Sequence, residues 1–242
     1  MRYWILVLLG IVCFDVSAQD EYPEAIADNS FLIEEAYNQE PRVVQHIFNL
    51  VRTHNKDVEF LFTQEWPLWS QRHQFSYGVP YLWPDVASGF GDLMINYRYQ
   101  LIDRHHWAVA PRISIILPTG KNSLSDNQTG YQFNLPVSRR IAAQWAAHAN
   151  AGVTYFQKDK QADFFAGGSL IWLAAPTLNL MAEFIAEFPE GDEKTYVINP
   201  GIRYAHNAGN LQIVPGLAVP IQLNGNDQGA DVFFYLSLEH PF

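Results

Sequence analysis

From Asp92 to Leu101 the chain alternates between two kinds of side chain. Asp92, Met94, Asn96, Arg98 and Gln100 fall on one side, and Leu93, Ile95, Tyr97, Tyr99 and Leu101 on the other. A repeat of two is the signature of a half-buried β-strand, and a helix would scramble both faces. The pattern returns from Gln144 to Tyr155, where Gln144, His148, Asn150 and Thr154 oppose Trp145, Ala147, Ala149, Ala151, Val153 and Tyr155. It returns again in Leu178–Phe188, Tyr196–Tyr204, Phe75–Tyr81 and Leu211–Val219.

Boundaries placed at turn residues predict twelve strands: 41–52, 57–66, 71–82, 89–102, 106–118, 129–139, 143–157, 162–174, 178–188, 194–205, 209–222 and 230–242. Short connections at 103–105, 140–142, 175–177 and 206–208 alternate with longer ones, such as 119–128 and 223–229, rich in Gly, Asn, Asp and Ser. Short turns at one end and long loops at the other are the habit of a transmembrane barrel. The fold class expected is all-β, an antiparallel up-and-down β-barrel of about 12 strands, with both chain ends on the short-turn, periplasmic side.

If the apolar face meets lipid, the polar face lines the bore, because a charge facing acyl chains costs up to about 2–4 kcal/mol. The lumen set is then Glu59, Glu65, Asp92, Asn96, Arg98, Arg112, His148, Asn150, Glu183, Glu187, Asn199, Arg203 and Glu239. Six acids against three arginines lean toward cations, or else the two signs pair across the interior and fill it. Twelve strands lie between the filled interior of eight and the open channel of sixteen, so the bore is narrow. Trp145 and Tyr155 stand ten residues apart on the outward face, a height of about 25 Å for a tilted strand, which matches an apolar band. With Trp66, Tyr97, Trp107, Trp172, Tyr196 and Tyr204 they form two expected girdles at the headgroup level.

Six prolines, at 80, 111, 136, 200, 215 and 220, fall inside predicted strands, although a closed barrel has no edge where a missing N–H passes unnoticed. Each is expected to mark a bulge or kink, which would exchange inward and outward positions beyond it.

The chain's first residues place it. Met1 and Arg2 precede an apolar run, Tyr3–Phe14, and Val16-Ser17-Ala18 supplies a small-residue end, so residues 1–18 read as a cleaved signal peptide. The run is too short to span a membrane as a helix. The single cysteine, Cys13, leaves with the signal, and with it thiol catalysis and Cys-based zinc. A net charge of −10 is opposite to the footprint of a nucleic-acid binder. Residues 19–40, acidic around Phe31, Leu32 and Ile33, precede the barrel (41–242) as a periplasmic tail or a plug of the lumen.

Catalytic chemistry is thin. His148 beside Ser169 suggests a base and nucleophile, but no G-x-S-x-G turn surrounds any serine. His105 and His106 point to opposite faces of an extended chain, and no zinc-helix spacing exists. No catalytic residue, cofactor or metal site is assigned. The C-terminal stretch ends in Phe242, on the face of Phe234, Leu236 and Leu238, which resembles the terminal strand by which barrel-assembly machinery recognises its clients.

Phe62-Thr63-Gln64-Glu65-Trp66-Pro67, Gly91-Asp92 with Asn96-Tyr97-Arg98-Tyr99, Pro111-Arg112 with Leu117-Pro118-Thr119-Gly120, and Asn134-Leu135-Pro136 together resemble one family. It is the outer-membrane transporter family named for the MetA pathway of phenol degradation, itself similar to the channel that exports functional amyloid. The resemblance runs over about residues 28 to 242, in-strand prolines included. It implies a twelve-stranded barrel and a transport role, it permits a homo-oligomer, and it implies no substrate.

The expected function is an outer-membrane transporter or channel of a Gram-negative bacterium, porin-like, passing small solutes or ions, with outer-membrane lipids around it. The alternatives are a soluble periplasmic β-sandwich or lipocalin-like binder, and an outer-membrane barrel enzyme.

Overall fold

The structure, a computed structural model, describes residues 30–84, 88–104, 106–225 and 228–242. The signal-peptide reading of residues 1–18, Cys13, residues 19–29 and His105 fall outside the described residues.

Eighteen strand segments are present among the described residues: β1 (Val43–Arg52), β2 (Val58–Pro67), β3 (His73–Trp83), β4 (Gly89–Phe90), β5 (Leu93–Tyr99), β6 (Ile102–Arg104), β7 (Trp107–Val109), β8 (Arg112–Leu117), β9 (Gly130–Asn134), β10 (Val137–Ala142), β11 (Trp145–Phe156), β12 (Gln161–Ala175), β13 (Leu178–Phe188), β14 (Thr195–Tyr204), β15 (His206–Ala208), β16 (Leu211–Ala218), β17 (Ile221–Gln222) and β18 (Val232–Pro241). Laid end to end they make twelve staves: β4, β5 and β6 form one, and β7–β8, β9–β10, β14–β15 and β16–β17 one each. Each stave is antiparallel to its neighbours. The ring closes where β1 pairs with β18, from Val43 opposite Pro241 to Arg52 opposite Val232, so no edge is left unpaired.

Three short turns differ from the sequence expectation. Asp103 and Arg104 of the expected turn 103–105 belong to β6, where Arg104 pairs with Trp107. Residues 140–142 belong to β10 and the turn falls at Ala143 and Gln144; likewise His206–Ala208 is β15, and the chain reverses at Gly209, whose φ of +64° suits a residue without a side chain.

The prolines follow the expectation only in part. Inward positions keep their parity straight through them: Ala108, Ala110, Arg112 and Ser114 are all buried on either side of Pro111, and Asn134 and Ser138 flank Pro136 in the same way. The physical reason lies in the carbonyls. Those of Pro80, Pro111, Pro136, Pro200 and Pro220 accept ladder hydrogen bonds from Gly91, Tyr99, Ala110, Val219 and Asp231, at 2.8–3.1 Å. On the proline's own stave only the missing N–H is lost, and the inward parity of that stave is kept. Register does shift by one residue opposite two of the prolines, on the stave of β4–β6: between the pairs Gly78–Met94 and Tyr81–Phe90 across from Pro80, and between Arg98–Arg112 and Ile102–Val109 across from Pro111. Two further shifts, between Arg140 and Ala142 and between Leu173 and Ala175, lie beside short turns.

Outside, aromatic and aliphatic side chains are exposed, among them Phe133, Phe164, Leu170, Phe184 and Phe234. A soluble fold hides such residues, whereas a barrel in a bilayer gives them to acyl chains. The buried core lies inside the ring, around residues 30–39.

Candidate functional site

Residues 30–42 enter the bore and sweep along its inner wall before turning into β1. The wall holds this segment through side chains, not by adding it to the sheet. Glu183 accepts the N–H of both Leu32 (2.9 Å) and Ile33 (3.0 Å), Asn150 that of Glu34 (2.8 Å), Ser138 that of Ala36 (2.7 Å), Gln100 that of Asn38 (2.8 Å) and Gln74 that of Gln39 (2.8 Å). In return Arg98 donates to the carbonyls of Glu35 (3.0 Å) and Tyr37 (2.9 Å) and to Asn38 Oδ1 (2.9 Å), and Gln100 donates to the carbonyl of Ala36 (2.6 Å). The inward polar positions of five staves thus satisfy a backbone that a dry bore would leave unpaired.

The opposite wall is apolar. Phe31 sits 5.4 Å from the ring of Phe233 and 5.3 Å from that of Tyr235, in a cluster with Ile47, Ile171, Met181, Val214 and Ala218. Glycines cut the space. A Cβ at Gly201 or Gly216 would stand 2.4 or 2.5 Å from the Phe31 ring, and one at Gly167 2.6 Å from Ile33 Cδ1. A glycine inside a strand marks close approach of another group, and these three were the signal in the sequence for a segment docked against this wall.

At mid-height Glu34 turns its carboxylate toward two arginines, 2.7 Å from Arg112 and 4.0 Å from Arg98. A cavity of about 420 Å³ lies on one side of this point, lined by Leu61, Glu65, Asp92, Met94 and Arg98 among others, and one of about 490 Å³ on the other, lined by Ile116, Asn150, Asp163, Phe165 and Glu187. Leu32, Ile33, Glu34 and Arg112 border both.

Each residue expected in the lumen can now be placed. Glu65 is buried and accepts from Gln74 (2.6 Å), and Asn96 donates to Ser76 (3.1 Å) and accepts from Arg112 (2.7 Å). Asn199 donates to Glu183 (2.6 Å), Arg203 is buried beside them, and Glu239 borders a hollow at the short-turn rim. Glu187 borders the larger cavity, and Glu59 points inward near the long-loop end, in the field of Asp231 and Asp57. Asp92 also ties down the longest outer loop, accepting the N–H of Gly120 (2.9 Å) and Asp126 (3.0 Å). Partial burial, with Asp92, Asp159 and Asp163 nearby, pushes the Asp126 carboxyl above its ordinary pKa, so this rim is acidic.

His148 and Ser169 face each other across β11 and β12, yet they do not bond to one another. His148 Nδ1 bonds Ser138 Oγ (2.7 Å), the same hydroxyl that receives Ala36 N–H, and Ser169 Oγ bonds Ser30 Oγ (2.8 Å). Both serines are engaged by the inner segment, so the imagined base and nucleophile are parts of its mooring.

The aromatic set all points outward. Trp145 and Trp172 stack at 6.1 Å near one end, with Trp66 packed on Phe75 and Tyr77, and Tyr97 bonded to His73 (2.6 Å) at the same level. Trp107 and Tyr204 lie at that end too, while Tyr155 and Tyr196 stand at the long-loop end, Tyr196 stacked on Phe184. Among the described residues no three His, Cys, Asp or Glu side chains gather as a metal site.

Known proteins can be set beside this geometry. No curated protein matches the chain. Among solved structures, an outer membrane channel from Pseudomonas putida F1 shares 11% identity at a TM-score of 0.61, over 86% of this chain and 98% of that one. The KdgM porin in complex with disordered oligogalacturonate shares 9% at 0.59, over 83% and 99%, and the NanC porin 10% at 0.59, over 82% and 100%. Residues 38–163 match the family described as "Putative MetA-pathway of phenol degradation", more than half of the chain. The chain belongs to that family, and its fold is the outer-membrane β-barrel.

Proposed function

We propose that the chain is a channel of the Gram-negative outer membrane that passes small solutes or ions through a narrow polar bore, with residues 30–42 as its inner constriction. The observation that carries this reading is the division of the bore. Two cavities, of about 420 and 490 Å³, meet at Leu32, Ile33, Glu34 and Arg112, so a path between them runs past one short segment moored by side chains. The exposed apolar exterior supports contact with outer-membrane lipids, and Phe242 at the end of the last stave supports recognition by barrel-assembly machinery. Association of several copies is compatible with this surface.

The residues bordering the two cavities include five carboxylates, Glu34, Glu65, Asp92, Asp163 and Glu187, against two guanidiniums, Arg98 and Arg112. That field favours neutral and cationic solutes as bulk traffic, in contrast to the oligogalacturonate found in complex with the KdgM porin. The serine–histidine pairs are consumed by the mooring, which argues for a non-enzymatic role.

Planar-bilayer recordings of the full chain and of a deletion of residues 20–38 test this. The deletion is expected to raise conductance, and the reversal potential in a salt gradient to fall on the cation side. Unchanged conductance would remove the constriction from the proposal. Anion preference or silence in both forms would defeat the cation-leaning channel.

A further inference from the structure

Arg98 and Arg112 are direct cross-strand partners on β5 and β8, and both point into the bore. Like charges placed opposite one another in a sheet repel, so this pair calls for an anion between them. The anion present is Glu34, from the inner segment. Its carboxylate is 2.7 Å from Arg112 Nη2 and 4.0 Å from Arg98 Nη1, and a quarter of its side chain remains exposed.

The two arginines use their donors differently. Arg98 is committed to the segment, at the carbonyls of Glu35 and Tyr37 and at Asn38 Oδ1. Arg112 gives Nη1 to Asn96 and Ser114 and shares Nη2 between Gln132 (2.7 Å) and Glu34, while its Nε is buried without a hydrogen-bond partner among the described residues. A guanidinium offers five N–H donors, and Nε with Nη2 forms the edge that receives a carboxylate through two parallel bonds. Glu34 engages that edge at Nη2 alone.

We propose that Arg112, with Arg98 behind it, is a binding site for one carboxylate of a small organic acid, and that Glu34 is a built-in competitor that occupies it. Rotation of the Glu34 side chain opens the site, and the moored backbone need not leave. Apolar groups flank the charge on both sides, Leu61 and Met94 in one cavity and Ile116 and Phe165 in the other. The ligand class that fits is a monocarboxylic acid with a compact apolar body. Cavities of this size are typical of small-molecule sites. A polyanion meets the surrounding carboxylates, whereas a single carboxylate exchanges for Glu34 with no change in charge at the arginines. The inference rests on the proposed pathway only for the ligand's way in, and a binding measurement separates the two, since it needs no conduction.

Calorimetric titration of the purified barrel with hexanoate, and with hexanamide as its neutral counterpart, tests the site in the wild type, Glu34→Ala and the double variant Glu34→Ala/Arg112→Gln. Glu34→Ala is expected to bind hexanoate at least about tenfold more tightly than the wild type, with no gain for hexanamide, and the double variant to lose the gain. Equal hexanoate binding by wild type and Glu34→Ala, an equal gain for hexanamide, or a gain retained without Arg112 would overturn it. Should the double variant lose the heat-modifiable mobility of a folded barrel, the hexanoate–hexanamide contrast in Glu34→Ala decides alone.

Discussion

The two walls of the bore are built from the same repeat and do opposite work. On β3, β5, β8, β10 and β11 the inward positions include Gln74, Ser76, Arg98, Ser114, Ser138 and Asn150, and of these Gln74, Arg98, Ser138 and Asn150 hold the inner segment mostly by its backbone. On β1, β12, β13, β16 and β18 they include Ile47, Ile171, Met181, Val214, Phe233 and Tyr235, which grip Phe31 as a hydrophobic core does. Facing inward is therefore not the same as facing water. A segment inside a barrel presents both a polar backbone and apolar side chains, and each wall answers one of them.

The sharpest way to break this division is to remove the anchor of the apolar wall. Phe31→Ala empties a pocket whose glycines were shaped to it, and large-to-small changes of this kind cost about 3–5 kcal/mol. Because the barrel ladder does not depend on Phe31, the loss falls on docking of the segment. Hydrogen exchange of the amides of Leu32, Ile33, Glu34, Ala36 and Asn38, which are sheltered by wall side chains, is expected to quicken at least roughly hundredfold, with strand amides unchanged. Equal exchange in wild type and variant would show that the apolar wall contributes nothing to docking.

Among the polar moorings Glu183, which β13 carries beside Met181, holds most. Glu183→Ala leaves the N–H groups of Leu32 and Ile33 without an acceptor and strands Asn199, and bonds to a charged group are worth about 1.5–3 kcal/mol net. Exchange at those two amides is expected to rise roughly tenfold to hundredfold, and less at Asn38, which Gln100 holds independently. A uniform rise along the segment would mean that the moorings act as one cooperative unit and not one by one.

The same contrast explains what could be read from the amino-acid order. Asn96-Tyr97-Arg98-Tyr99 alternates cleanly because one face meets lipid and the other a polar backbone, so period and chemistry agree there. In β18 the run Phe233-Phe234-Tyr235-Leu236 faces alternately the inner segment and lipid, both apolar, and Trp172 in β12 stands between Ile171 and Leu173 for the same reason. Periodicity carries no face information where both environments are greasy. The lumen list accordingly captured acids, arginines and amides of the polar wall, and missed Phe31, its glycine recess, and Gln74, Gln100 and Ser138. The glycine spacing held the missing signal, but it becomes visible only once the partner of each glycine is known. The prolines misled only in part: a one-residue slip does stand opposite Pro80 and Pro111, on the partner stave, whereas pairing runs unbroken through Pro200 and Pro215.

A change on the lipid side sharpens the comparison from outside. Trp172 stacks on Trp145 at 6.1 Å and touches nothing of the inner segment among the interactions described. An aromatic pair adds about 0.5–1.5 kcal/mol beyond its area, so Trp172→Ala is expected to lower the temperature at which heat-modifiable mobility is lost by a few degrees. The amides of residues 32–38 should exchange as in the wild type, since their partners, Glu183, Asn150, Ser138 and Gln100, lie on inward positions away from the stack. Should they quicken as well, inner and outer faces of a stave would be coupled through the sheet. The segment's mooring would then be a property of the whole barrel and not of the two walls that touch it.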